Sequence, residues 1–73
     1  MEKPVLRAGS RVRIVSSSPF RGLRGVIIRV DEIPSTSDLS EPLRFYLVRL
    51  EGAYIKVPVW FHHEEVEPII PAS

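Results

Sequence analysis

The chain has 73 residues, seven of them proline, with no cysteine and a formal net charge of +1. At this length it can form one domain with a small core, burying only about 60% of its unfolded surface. The absence of thiols excludes a disulfide framework and a thiolate metal site. No apolar run approaches the ~20 residues of a membrane span. The opening "MEKPVLRAGS" lacks the apolar centre of a signal peptide, so a soluble cytoplasmic protein is the expectation.

Residues 1–7 read as a flexible tail. In "RVRIVS", Val12 and Ile14 fall on one face and Arg11 and Arg13 on the other, the period of a half-buried strand. "SSPFRGLRG" is turn chemistry: Pro19 fixes its own φ, and Gly22 and Gly25 suit a positive φ or a close backbone approach. A second strand follows in "VIIRVDEI". Its run Val26 to Ile28 breaks strict alternation, so either both faces are covered there or a bulge shifts the register. "PSTSDLSEPL", residues 34–43, reads as a long exposed loop.

The third strand is "RFYLVRL", with Tyr46, Val48 and Leu50 on one side and Phe45, Leu47 and Arg49 on the other. Glu51-Gly52 signals a hairpin turn, after which "AYIKVPVWF" returns as strand four. In that strand Ile55, Val57, Val59 and Phe61 share a face, and Lys56, Pro58 and Trp60 share the other. Pro58 cannot donate to a ladder, which places it on an edge or at a bulge. "HHEE" is a short polar turn or a single helical turn, and "VEPII" closes the sheet before the tail 71–73.

No helical repeat of apolar residues competes with this pattern. The fold class expected is therefore all-β. Five short strands in so small a chain protect their edges best by curling, which gives a five-stranded, SH3-like, partly open barrel over residues 8–70. An OB-fold is disfavoured, because its helix would fall where this sequence has only Glu51-Gly52.

Charge is unevenly placed. Residues 1–30 carry seven basic side chains and one acid, whereas residues 31–73 carry three basic and eight acidic ones. Either the halves form a positive and a negative face, or antiparallel neighbours mix the charges.

"AGSRVRIVSSSPFRGLRGVIIRV" resembles a KOW motif, as found in the C-terminal domain of the transcription factor NusG and in some ribosomal proteins: Gly9, Val12, Ile14, Pro19, Phe20, Gly25 and an aliphatic run fall in order. The resemblance implies a small barrel whose first loop touches a partner. "RAGSRVRI", Val30-Asp31 and "EEVEPI" also resemble PsaE, a small barrel subunit of photosystem I, which implies a docking role in an electron-transfer complex.

Phe20 either caps the open end of the barrel or projects as an anchor. Arg21 and Arg24 beside it make an aromatic and cationic patch suited to phosphate, to a base or to an acidic protein surface. Trp60 alternates away from the apolar face and is an exposed hot-spot candidate, unless a bulge at Pro58 inverts it. Arg11, Arg13 and Arg29 are the cations a docking subunit would offer an acidic carrier. His62-His63-Glu64-Glu65 reads as a solvated turn rather than a metal site. No catalytic motif, cofactor or metal is expected. The functional expectation is a non-enzymatic, monomeric adaptor contacting a protein or ribonucleoprotein assembly, with weak and strongly salt-dependent nucleic-acid affinity.

Overall fold

A computed structural model describes residues 5–34, 42–52, 54 and 56–70. Five strands form one antiparallel sheet: β1 (Arg11–Ile14), β2 (Arg24–Ile33), β3 (Leu43–Leu50), β4 (Val59–His62) and β5 (Val66–Pro68), with a 3₁₀ turn (His63–Glu65) between the last two. The strand order is β4-β3-β2-β1-β5. This is an SH3-like arrangement in which β1 to β4 form a meander, β5 returns to pair with β1, and the barrel stays partly open, with β4 and β5 as its edges.

Alternation builds the core. Val12 and Ile14 of β1, Tyr46, Val48 and Leu50 of β3, Phe61 of β4 and Val66 of β5 all point inward with Ile27, while Leu6, Phe20, Leu23, Val30 and Val59 pack around them. Leu6, assigned to the tail on sequence, is thus part of the packed unit. No helix among the described residues is long and apolar enough to cross a membrane.

The irregular run in β2 resolves as a bulge. Ile27 pairs with Val48 and Arg29 with Leu47, so Ile28 is the extra residue. Beyond it, Val30 returns to the inner side opposite Tyr46. A bulged strand bends and twists more strongly, which lets a ten-residue β2 wrap the core.

The β3–β4 connection departs from the expected tight hairpin. Strand four spans only Val59–His62, and the link from β3 occupies residues 51–58. Val57 is 67% exposed and does not share the Phe61 face, while Ile55 lies outside the described residues. The reason is visible in the register: Val48 pairs with Val59, so one more step would set Pro58 against Arg49, and proline has no N–H to extend the ladder. Gly52 still makes a turn, with φ +70°. Most of the 34–43 loop, residues 35–41, lies outside the described residues, and Leu43 belongs to β3.

Candidate functional site

The β1–β2 loop is two overlapping turns. Arg21 N–H donates to Ser18 O at 3.0 Å, with Pro19 at the position where a fixed φ is favourable. Leu23 N–H then donates to Phe20 O at 3.0 Å, with Gly22 (φ +87°) at the position where a type II turn demands a positive φ. Ser18 Oγ accepts from Phe20 N–H and contacts Ser16 Oγ, so the serines hold the bend in place. Gly22 N–H donates to Ile14 O at 2.8 Å and ties the turn to β1.

This geometry turns Phe20 inward. Its ring meets Phe61 edge to face, with centroids 5.9 Å apart, and it is half-buried against the core. Arg21, next in the chain, and Arg24, the first residue of β2, stay exposed and make no ion pair among the described residues. A shallow recess of about 250 Å³ borders Arg24, lined also by Arg13, Glu67, Pro68, Ile69 and Ile70.

Gly25, expected near the start of strand two, is its second residue and needs its missing side chain. A Cβ there would lie 2.5 Å from Arg49 O and 2.6 Å from Val48 Cγ1. It serves close strand packing rather than a positive φ.

Register sorts the remaining candidates on the outer face of the sheet. Arg24, Arg13 and Glu67 form one row across β2, β1 and β5; Arg11, Val26 and Arg49 form the next across β1, β2 and β3. Arg29, Leu47 and Trp60 make the third, across β2, β3 and β4, and Asp31, Phe45 and His62 the fourth. Trp60 is 45% exposed, as alternation required, and the Phe45 and His62 rings meet edge to face at 5.4 Å. Trp60 therefore shares a row with Arg29, while Phe20 lies against the inward-facing Phe61; the loop and Trp60 are two surfaces, not one.

Opposite charges partly mix across the strands. Arg11 pairs with Glu51 at 3.4 Å, Arg13 with Glu67, and Arg44 with Glu32 at 2.6 Å. Arg24, Arg29 and Arg49 have no such partner among the described residues, so the outer face keeps an excess of cations. The His62-to-Glu65 segment is a capping box: His62 N–H donates to Glu65 Oε1 at 2.8 Å and Glu64 N–H to His62 Nδ1 at 3.3 Å. Among the described residues no group of three or more His, Cys, Asp or Glu is placed to hold a metal ion.

Sequence reasoning put Phe45, Leu47 and Arg49 on the face opposite Tyr46, Val48 and Leu50 but did not include them among the candidate residues. Alternation carried that signal; which side chains of β2 and β4 stand beside them depends on register, which period alone does not give. Comparison with known proteins finds no family model, no curated protein and no solved structure that matches this chain.

Proposed function

We propose that the chain is a non-enzymatic, KOW-like adaptor, acting as a cytoplasmic monomer, that contacts a protein or ribonucleoprotein assembly through its β1–β2 loop. The carrying observation is the pose of that loop: Phe20 is seated on Phe61 while Arg21 in the bend and Arg24 at the start of β2 are exposed and without an ion pair among the described residues. A bend held by Ser18 and Gly22 loses little freedom on binding, and arginine forks suit carboxylate or phosphate on a partner.

The test is capture from cell extract with the native chain and an R21E/R24E variant. Ribosomal or polymerase subunits retained by the first and lost from the second support the adaptor. Capture unchanged by R21E/R24E removes the loop from the reading. Thylakoid subunits in the eluate would favour the docking role instead; against that role, Arg11 and Arg13 are already engaged by Glu51 and Glu67.

A further inference from the structure

The outer sheet face carries two columns side by side. On the β1–β2 side and its border with β3, arginines occupy three successive rows: Arg13 and Arg24, then Arg11 and Arg49, then Arg29. On the β3–β4 side, Leu47 and Trp60 and then Phe45 and His62 offer apolar and aromatic surface. Rows two residues apart along a strand are separated by about 6.8 Å, and Arg29 and Trp60, two strands apart in one row, by about 10 Å.

We propose that this face binds single-stranded nucleic acid, with the phosphates following the arginine column and unpaired bases resting on Trp60 and the Phe45–His62 pair. The charge is complementary: Arg24, Arg29 and Arg49 lack an ion pair among the described residues, Glu51 and Glu67 neutralise only two of the five cations, and Asp31 in the fourth row adds one acid, so cations remain in excess. A repeating anion beside a repeating planar group is what such paired columns recognise, and base stacking tolerates any sequence. A duplex fits less well, because its bases are stacked inside and cannot reach Trp60. An acidic peptide added as a strand is disfavoured by the free edge itself, since β4 is four residues long and is preceded by Pro58. With so few cations the affinity belongs in the range of about 1 to 100 µM.

The surface meets the loop of the proposed adaptor only at Arg24; Trp60→Leu and R29Q/R49Q leave Phe20, Arg21 and Arg24 untouched, so the two readings can fail independently. Trp60 is the sole tryptophan, so its emission reports directly on the face. The full chain is titrated with ten-nucleotide oligouridylate and oligothymidylate at low salt, with polyglutamate of matched charge and a short duplex as controls. Quenching by the single strands is expected, with the logarithm of the affinity falling linearly with the logarithm of the salt concentration. In anisotropy measurements with labelled oligonucleotide, Trp60→Leu should weaken binding about 5- to 150-fold, the loss of one stacked base. Trp60→Tyr, which keeps a ring, should retain most of it. R29Q/R49Q should lower the salt slope by about 1.4, two phosphate contacts on a single strand. Phe20→Leu should leave oligonucleotide binding unchanged.

Three results would overturn the proposal: no quenching at low salt, equal quenching by polyglutamate or duplex, or undiminished affinity in both Trp60→Leu and R29Q/R49Q. Amide spectra of each variant establish that it is folded. Should Trp60→Leu fail that check, R29Q/R49Q and the polyglutamate control still decide.

Discussion

The hydroxyl of Tyr46, fully buried on β3, lies 2.7 Å from Nδ1 of His63 at the start of the 3₁₀ turn. The same oxygen accepts from Leu6 N–H at 3.2 Å. A phenol can accept from one partner and donate to the other, so both contacts are served by the single hydroxyl. One hydroxyl thus ties the segment before β1 and the link before β5 to the centre of the sheet.

Tyr46→Phe keeps the ring and removes both bonds. The expected cost is about 1 to 3 kcal/mol, because Leu6 N–H and the imidazole lose a partner in a partly buried setting. Chemical denaturation measures the total. Amide exchange at Leu6 should accelerate selectively; unchanged exchange there would mean that the bond does not hold the segment.

Gly25→Ala and Gly22→Ala should differ in size and cause. At Gly25 the new methyl meets the β3 backbone, so the strands must separate, at a cost of about 1 to 3 kcal/mol or more. At Gly22 nothing lies within 4 Å, and only the positive φ opposes the substitution, at about 1 kcal/mol. Thermal melting of the two variants in parallel should rank Gly25→Ala as the less stable.

Phe20→Ala tests whether the loop residue supports the core. Half-buried against Phe61, it should cost about 2 kcal/mol, below the 3 to 5 typical of a fully buried phenylalanine. An unaltered denaturation midpoint would assign the ring to partner contact alone.

Replacing Glu51 and Glu67 by Gln should barely move stability, by less than about 1 kcal/mol per pair, since both ion pairs are substantially exposed. The melting temperature of E51Q/E67Q should be nearly indifferent to added salt. A large loss would show that these pairs hold β1 and β5 in place.

The alternation of "RVRI" and of "RFYLVRL" was enough to group Val12 with Ile14, and Tyr46 with Val48 and Leu50, on single faces, because a strand has a period of two; that these are the buried faces is shown by the packing. The same periodicity over-extended β4. In "AYIKVPVWF" it read a nine-residue strand, whereas a ladder needs donors and a neighbour: Pro58 supplies no N–H, and the β3–β4 pairing ends at Val48 and Val59. The Val26-to-Ile28 run announced an irregularity but not its kind, which only the pairing with β3 reveals.

Local sequence thus determined the class of fold, which residues share a face and the bend at Pro19 to Gly22, all of which follow from backbone chemistry and short-range period. Tertiary structure alone decided that Trp60 shares an outer row with Arg29 and not a surface with Phe20, and that Arg11, Arg13 and Arg44 are neutralised while Arg24, Arg29 and Arg49 have no ion pair among the described residues. Those neighbours come from strand order and register across residues far apart in the chain, and a one-residue slip at the Ile28 bulge rearranges every row beyond it.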